Sequence, residues 1–382
     1  MTQLSLQFVE SITEISPATW NGLAGTDNPF MRHEFLVALE ETHCTTRATG
    51  WQPHHIIVRS DDDGLAAAVM PLYLKTNSYG EYVFDWSWAH AYQQHGMAYY
   101  PKFVTSAPFT PSTGRRCFIR PDIDESEVLQ LITEKVQESA EFIQASSWHI
   151  LFPTETEHEQ LNALGLMPRT ACQFHWANRG YSSFDDFLAT MSSRKRKNIR
   201  KERRKVAEEG IHFRRMEGEE ISETIWQEFY TFYQSTYLMR GMQGYLTQDF
   251  FLQLSRTMPK QLFMICAEQD GKLIAAALFF KSSDTLFGRY WGSAQDYQFL
   301  HFETCYYQGQ DYAIEHGFKY FDSGAQGEHK IQRGFEPIFT FSNHWIAHPG
   351  FRAAVQHFLD EEASHIKNYK TEAASLLPFK TS

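Results

Sequence analysis

The chain contains two copies of one sequence pattern, and this repeat limits its possible folds more than any other feature. The segment 165–176, GLMPRTACQFHW, aligns without gaps to 334–345, GFEPIFTFSNHW, and the two share a Gly, a Pro, a His and a Trp. Segments 55–70 and 263–278 form a second pair, in which β-forming residues flank an Asp-Gly turn. The copies lie roughly 170 to 210 residues apart, which is far too long a period for a solenoid. The repeat therefore predicts two tandem copies of one domain.

We place the first predicted domain at 1–180 and the second, the expected catalytic half, at 181–382. Both halves show helices, an antiparallel strand meander, a helix and closing strands, an order that predicts a mixed α/β fold with an α+β, mixed-sheet architecture. In the second half we expect helices at 184–191, 194–208, 219–238, 247–257, 299–316 and from 350, with strands at 211–216, 261–268, 273–281, 284–291, 319–323 and 337–345. In the first half we expect helices at 17–23, 32–42 and 125–144, with strands at 54–59, 65–74, 80–86, 148–153 and 168–177.

An insert at 89–120 interrupts the pattern of the first half. It is rich in Tyr, Pro and Phe and follows neither the helical nor the strand period. Loops of this length in compact domains are usually functional or disordered, and the aromatic content favours an ordered, packed loop. Its cations Lys102 and Arg115 are candidates for contacts with an anionic donor. Alternatively, the aromatic residues of this region join the two domains.

The composition is that of a globular protein. Hydrophobic residues make up 42% and aromatic residues 15% of the 382 positions, which argues against disorder. The formal charge of −11 disfavours a general nucleic-acid coat protein but leaves room for one local basic site. The five cysteines contain no C-x-x-C pair, which disfavours a disulfide framework or a zinc knuckle. We expect a cytoplasmic protein without a transmembrane segment, a signal peptide or a metal site.

Six stretches distributed along the chain resemble a known family. They are 82–88 (YVFDWSW), 99–103 (YYPKF), 108–115 (PFTPSTGR), 194–200 (RKRKNIR), 300–307 (LHFETCYY) and 324–335 (GAQGEHKIQRGF). Together they are similar to the predicted N-acyltransferases of the peptidoglycan-biosynthesis/recognition type, a bacterial family related to the Fem aminoacyl-tRNA-dependent transferases. The resemblance covers nearly the whole chain and implies two tandem GNAT-like acyltransferase domains.

The resemblance implies transfer of an acyl or aminoacyl group to an amine acceptor. The co-substrate is then acyl-CoA or aminoacyl-tRNA, with no tightly bound cofactor. The kinship with Fem proteins also implies a narrower alternative, peptide-bond formation that depends on aminoacyl-tRNA, in which tRNA is a partner. A third alternative belongs to a different class: a catalytically silent module that binds a peptidoglycan precursor or a protein.

A polar loop in the second half carries most of the candidate site. It follows a short predicted strand, and catalytic residues commonly lie on loops that a rigid sheet holds in place. Acylation of an amine needs a general base, for which Glu328 and His329 are candidates. Four further residues of this region are candidates for contacts with the donor or acceptor: Asp322, Gln326, Lys330 and Arg333. The alternative is a solvated turn whose charges pair with one another.

The start of the predicted helix 299–316 supplies a second group of candidates. His301 and Glu303 are candidate catalytic residues, and Tyr307 is a candidate for substrate contact. In the GNAT fold the corresponding helix start binds the CoA pyrophosphate through a Gly-rich loop. The preceding stretch 292–300, GSAQDYQFL, does not match that loop, which weakens the acyl-CoA hypothesis. Alternatively, Glu303 only compensates the helix dipole.

Nine Lys or Arg residues and a single acid lie between Arg194 and Lys205. The apolar residues around them have helical spacing, with an N-cap at Ser192 or Ser193 and a stop at Gly210, so we expect an amphipathic helix. Most such charge runs are simply solvated. The nine cations repel one another, and two other arrangements would reduce that repulsion. Either acidic residues of the partner domain pair with them, or cations such as Arg196 and Arg200 bind an anionic ligand.

Overall fold

The protein forms two compact units in its computed structural model. The residues that the structure describes are 3–239, 241–325 and 327–380. One unit comprises the chain up to Cys172 together with Phe339–Asn368, and the other comprises Gln173–Ile338 and the chain from Tyr369 onward. The first unit thus includes a segment that the sequence prediction assigned to the second domain. Below, the two are called unit 1 and unit 2.

Unit 1 contains strands and helices from the whole first half of the chain. Its strands are β1 (Leu4–Val9), β2 (Trp51–Pro53), β3 (His55–Ser60), β4 (Ala66–Met70), β5 (Tyr73–Lys75), β6 (Lys102–Thr105), β7 (Phe118–Ile119) and β8 (Ser147–Leu151), and β9 (Met167–Ala177) continues from it into unit 2. Its helices are α1 (Pro17–Ala24), α2 (His33–Glu41), α3 (Trp86–Gln94), α4 (Glu125–Ile143) and α5 (Glu155–Ala163).

One sheet of unit 1 has the strand order β1-β3-β4-β7, and a second array has the order β8-β6-β5-β2. Helix α4 shows why this unit folds as it does. Asp124 caps its N-terminus by accepting hydrogen bonds from the amides of Ser126 and Glu127. Val128, Ile132 and Val136 recur at four-residue spacing, so they form one buried face that joins the core around Trp148.

Unit 2 contains the second strand meander. Its strands are β10 (His212–Glu217), β11 (Leu262–Gln269), β12 (Lys272–Lys281), β13 (Thr285–Ser293), β14 (Tyr320–Asp322) and β15 (Glu336–Ile346), the last of which ends in unit 1. Its helices are α6 (Phe184–Ala189), α7 (Ser193–Glu208), α8 (Glu223–Leu238), α9 (Gln248–Thr257), α10 (Leu300–Phe302) and α11 (Gln308–Glu315), and α12 (Pro349–Ser375) begins in unit 1 and ends in unit 2.

The strands of unit 2 follow the order β10-β11-β12-β13-β14-β9. Most neighbours are antiparallel, but β13 and β14 are parallel and pair only at three positions, from Thr285 with Tyr320 to Phe287 with Asp322. Strand β13 then continues to Ser293, whereas β14 has ended. Because β13 continues after its parallel partner β14 has ended, the sheet has a gap beside the last residues of β13. The candidate site lies at this gap.

The basic helix is α7, and it forms as the sequence predicts. The backbone of Ser192 is extended at the N-cap position, and Gly210 has a φ of +72°, which suits a residue just beyond a helix C-terminus. The predicted apolar face is buried, because Leu188, Met191 and Ile199 pack in the main core of unit 2. Ile199 and Val206 are the buried residues of the helix itself.

Two expectations about the first half are wrong. No strand forms at 80–86; instead Asp85 precedes helix α3, which begins at Trp86. The insert 89–120 is ordered, as predicted, but it contains the end of α3 and strands β6 and β7 rather than only loop. Its aromatic residues Tyr92 and Tyr99 pack within unit 1, against Val355. None of the helices in the described part of the chain has the length and apolar character needed to span a membrane.

A candidate active site beside strand β13

A cavity of about 100 Å³ opens where β13 continues beyond β14. Its walls come from β12, from β13, from the helical stretch 300–307 and from the loop after β14. The polar groups around it belong mostly to five residues: Arg289, His301, Cys305, Tyr306 and Ser323. Small, concave, partly apolar spaces with convergent polar groups are the usual form of a small-molecule site.

A π-helical turn shapes one wall of the cavity. The predicted helix 299–316 is observed as α10 and α11 joined by a π-helical turn at Glu303–Tyr307. Within this turn the amide of Gln308 bonds to the carbonyl of Glu303, five residues earlier. Such turns are rare and frequently occur at functional sites. Here the turn carries Cys305 and Tyr306, which both line the cavity.

The side chains of His301, Tyr306 and His329 meet at this wall. The hydroxyl of Tyr306 lies 2.9 Å from Nε2 of His329. The His301 ring lies 5.2 Å from the Tyr306 ring and 6.2 Å from the His329 ring, measured between centroids. Partial burial, together with the charges of Arg333 and Lys330, lowers the pKa of His329, so its imidazole is neutral at pH 7. The structure thus brings together His301 and His329, which lie 28 positions apart in the sequence.

Asp322 lies in an ion pair at the end of β14. Both of its carboxylate oxygens accept from the guanidinium of Arg289, at 3.1 and 2.6 Å, and each side chain is only 2% exposed. His175 Nε2 lies 3.5 Å from the same carboxylate. Although burial opposes ionisation, Arg289 and His175 hold the pKa of Asp322 well below its ordinary value. Asp322 is therefore an ionised anchor for Arg289 in the cavity wall.

Lys330 and Ser323 connect the loop after β14 to the cavity. The ammonium of Lys330 donates to the carbonyls of Ser323 and Gly324, at 3.0 and 2.7 Å, and so fixes the course of this loop. Burial lowers the pKa of Lys330 to about 8. The hydroxyl of Ser323 is buried beside the cavity and has no hydrogen-bond partner among the described residues. It is free to donate to a ligand there.

Glu303 lies away from the free space and is bound by other side chains. The residue is 3% exposed, and its carboxylate accepts from Arg203, at 3.0 and 3.2 Å, and from the side-chain amide of Gln308 at 2.8 Å. Burial raises the pKa of Glu303, while Arg203 and Gln308 oppose that shift. Since Arg203 also pairs with Asp311 at 2.8 Å, this group fastens α7 to the 300–315 helix.

Tyr307 and Arg333 are also engaged in contacts within unit 2. The Tyr307 hydroxyl and a guanidinium nitrogen of Arg333 both donate to Glu202, the single acid in the middle of the basic run. The Arg333 guanidinium lies 3.4 Å from the centroid of the Phe302 ring and donates to the carbonyl of His329. These contacts hold the loop 328–333 against α7.

The other loop candidates lie outside the cavity. The carboxylate of Glu328 is exposed and accepts a hydrogen bond from the Tyr369 hydroxyl at 2.8 Å. Gln326 lies outside the described residues. Glu328 therefore faces solvent, while His329, one position later, contacts a residue that lines the cavity.

The basic helix has both paired and unpaired cations. Lys195 bonds to Gln332, and Arg200 pairs with Asp185 at 2.8 Å on the exposed surface. Along the described chain, four cations of the helix have no ion-pair partner: Arg194, Arg196, Lys197 and Lys201. A groove of about 350 Å³ beside α6 is lined by Arg200 and Arg203, among others. The positive charge is thus only partly neutralised within unit 2.

The two candidates from the insert lie in unit 1. Lys102 is fully buried and pairs with Glu81, at 2.8 Å, and with Asp85. Arg115 pairs with Glu125 near the surface and donates to the carbonyl of Cys117 at 3.0 Å. Both cations are therefore used within unit 1. No cluster of three or more His, Cys, Asp or Glu side chains suited to a metal ion occurs among the described residues.

Four polar residues of the cavity were not among the sequence candidates: Arg289, Cys305, Tyr306 and Ser323. Ser323 follows directly after Asp322, and Tyr306 belongs to the aromatic stretch 302–307, so both had a local signal. Arg289 had none, because an arginine within a strand meander is usually a surface residue.

Comparison with known proteins identifies the family. A family model described as peptidoglycan biosynthesis/recognition matches residues 11–381. The chain belongs to this FemAB-like family. No curated protein sequence matches it. Membership in the FemAB-like family confirms the predicted transferase role and the predicted link to peptidoglycan.

Several solved structures are similar in fold. The crystal structure of FemX is 13% identical with a TM-score of 0.51, and the match covers 84% of this chain and 94% of that one. The C-terminal domain of a putative lysylphosphatidylglycerol synthetase from Agrobacterium fabrum is 10% identical with a TM-score of 0.56, over 92% and 96% of the two chains. A tandem GNAT protein from the clavulanic acid pathway is 9% identical with a TM-score of 0.47, over 91% and 99%. The predicted mixed α/β, mixed-sheet fold is confirmed.

Proposed function

We propose that this FemAB-like protein transfers an acyl or aminoacyl group to an amine, and that the reaction takes place in the cavity beside β13. The observation that carries the proposal is the convergence of Ser323, His301 and Tyr306 on that cavity. It contains a hydroxyl available to a ligand, an imidazole and a phenol, the types of group that acyl transfer requires.

The hydroxyl of Ser323 is suited to stabilise the transition state. When an amine attacks a carbonyl carbon, negative charge develops on the carbonyl oxygen, and a positioned hydrogen-bond donor lowers the energy of that state. Ser323 Oγ has no competing partner among the described residues. Lys330 holds the backbone of Ser323 in place. We therefore assign Ser323 as oxyanion donor and Lys330 as its positioning residue.

The size of the cavity limits what it holds. An engineered apolar cavity of about 150 Å³ accommodates benzene, so a space of about 100 Å³ suits a smaller group. The reacting acyl carbonyl and a short substituent fit this limit. The bulk of a CoA or tRNA donor then extends out of the cavity.

Acyl transfer from labelled donors to small amines tests this proposal. We expect wild-type protein to form a labelled amide, and Ser323→Ala to reduce kcat by about 100-fold with little change in KM, because the hydroxyl acts mainly in the transition state. Ser255→Ala is the matched control, since that hydroxyl only bonds to a helix carbonyl of α9. Product formation that is equal in all three proteins would place the reaction elsewhere.

A second candidate, the Fem-type donor aminoacyl-tRNA, gains support from one observation. The cations Arg194, Arg196, Lys197 and Lys201 have no ion-pair partner in the described chain, whereas the apolar side of their helix is docked in the core. A helix without an exposed apolar face is poorly suited to insert into a lipid surface. Its charges match a row of phosphates instead.

Binding of charged and uncharged tRNA at several salt concentrations tests this candidate. Each phosphate contact contributes about 0.7–0.9 to the magnitude of the slope of log K against log salt, so replacing all four cations with Gln reduces that magnitude by up to about 3.6. Arg214→Gln, on strand β10 and paired with Glu268, is the control. Stabilisation by acyl-CoA alone, with no tRNA binding, would exclude the Fem-type donor.

A further inference from the structure

Acylation of an amine releases a proton that the site must remove. An ordinary amine arrives as an ammonium ion, because its pKa lies well above 7, as for lysine. The balanced reaction of an ammonium with an acyl donor yields an amide, the protonated leaving group and one additional proton. Because the cavity is small and apolar side chains of β12 and β13 form part of its walls, a side chain that accepts this proton gives it a defined path to solvent.

Tyr306 is placed at the inner end of such a path. Its side chain lines the cavity, and the residue is only 4% exposed. Burial raises the pKa of its hydroxyl far above the ordinary value, so it is a neutral phenol that donates and accepts hydrogen bonds at once. A phenol in this state passes a proton on without holding a charge.

His329 is placed at the outer end. Its Nε2 lies 2.9 Å from the Tyr306 hydroxyl, and the residue is exposed to solvent. The ring contacts Phe302 at 5.5 Å and is faced by the cations Arg333 and Lys330, with His301 at 6.2 Å. A Cβ at Gly327, whose φ is +116°, would lie 2.5 Å from the ring, so the glycine permits the ring to occupy this position. The ring is thus held between the phenol and water.

We propose that Tyr306 and His329 form a proton relay that carries the amine proton from the cavity to solvent. This inference rests on the proposed function. It assigns a catalytic role to Tyr306, which contacts the amine acceptor. His329 acts through Tyr306, because it accepts the proton of the Tyr306 hydroxyl. Of the two base candidates in the loop, it selects His329 and leaves Glu328 outside the reaction.

The relay step balances in protons and electrons. The ammonium gives one proton to the Tyr306 oxygen, while the Tyr306 hydroxyl proton moves to Nε2 of His329, which becomes an imidazolium. The nitrogen lone pair that is released then forms the C–N bond as the bond from carbonyl carbon to leaving group breaks. The second N–H proton goes to the leaving group, and His329 returns its proton to water.

The test compares transfer rates for two classes of acceptor with the donor that wild-type protein uses. With an ordinary amine at pH 7, Tyr306→Phe and His329→Ala each lower kcat by about 100-fold, and the double variant is no worse than either single variant, since the two act as a unit. With an amine that is already neutral at pH 7, no net proton leaves before attack, so the same variants lose less than about tenfold. Added imidazole restores His329→Ala at least tenfold.

Control variants separate the relay from structural damage. Tyr297→Phe and His212→Ala remove the same groups at sites away from the cavity and leave the rates unchanged. If wild-type protein forms no amide with any donor, the proposed function itself fails. If wild-type protein is active but Tyr306→Phe and His329→Ala lose equal activity with both acceptor classes, or none with either, the relay is wrong and the proposed function stands.

Discussion

Replacing Asp322 by Asn tests whether this residue holds the cavity wall together. Asp322 and Arg289 are each 2% exposed and joined by two hydrogen bonds, so the substitution leaves a buried guanidinium without its countercharge. Breaking a buried ion pair in this way costs about 3–5 kcal/mol. For a unit of about 180 residues, each kcal/mol lowers the midpoint of thermal unfolding by about 2–4 °C. We therefore expect Asp322→Asn to lower the midpoint by about 6–20 °C.

The assay is thermal unfolding followed by circular dichroism, with Glu336→Gln as the matched control. Glu336 pairs with Arg179 at 2.6 Å, but Arg179 is 61% exposed, so losing this pair costs less than about 1 kcal/mol. The pKa of Asp322 is lowered in the folded state, which means that its contribution is present above the ordinary carboxyl pKa and is lost as the pH falls below it. The difference between wild type and Asp322→Asn must shrink in acid. Equal midpoints for Asp322→Asn and Glu336→Gln at pH 7 would refute the anchoring role.

Three further predictions follow from the contacts of unit 2. Because the pKa of Lys330 is lowered to about 8 in the folded state, the unfolded chain binds more protons than the folded chain between pH 8 and 10. The free energy of unfolding of wild-type protein, measured with denaturant, should therefore rise with pH across that window. That of Lys330→Met should not. Arg203→Ala should cost several times more stability than Arg200→Ala in the same unfolding assay, because only Arg203 neutralises a buried carboxylate; similar losses would count against this view. Glu328→Gln should keep transfer activity within about threefold, since its carboxylate faces solvent; a 100-fold loss would restore it as the base.

Much of the fold was predictable because the relevant signals are local or repeated. The apolar periodicity located the meander β11–β13 to within a few residues. The two related halves that the repeat between 165–176 and 334–345 indicates stay a prediction. The strand expected at 80–86 is absent because a tertiary contact prevails over the local pattern. Asp85 is buried in an ion pair with Lys102, and the aromatic residues after it form helix α3. No local rule contains that long-range pairing.

Only those residues of the candidate site that a local sequence pattern marks were predictable. Loop and helix-start arguments placed His301 and His329 among the candidates, but their proximity, 6.2 Å between ring centroids, depends on how the loop after β14 packs against the helical stretch 300–307. Glu303 was also a candidate catalytic residue on sequence grounds. Its neutralisation by Arg203, a hundred positions earlier, appears only once α7 packs against the 300–315 helix. Arg289 enters the site through the parallel register of β13 and β14, which periodicity does not specify.

The central claim is that acyl transfer takes place in the cavity beside β13. Its most direct test is a crystal structure with a non-reactive analogue of whichever donor supports turnover. We expect the carbonyl oxygen of the analogue about 2.7–3.1 Å from Ser323 Oγ. The face of the carbonyl that the acceptor amine attacks should be turned toward the Tyr306 hydroxyl. An analogue bound elsewhere in the protein, with its carbonyl far from Ser323 and Tyr306, would contradict the claim.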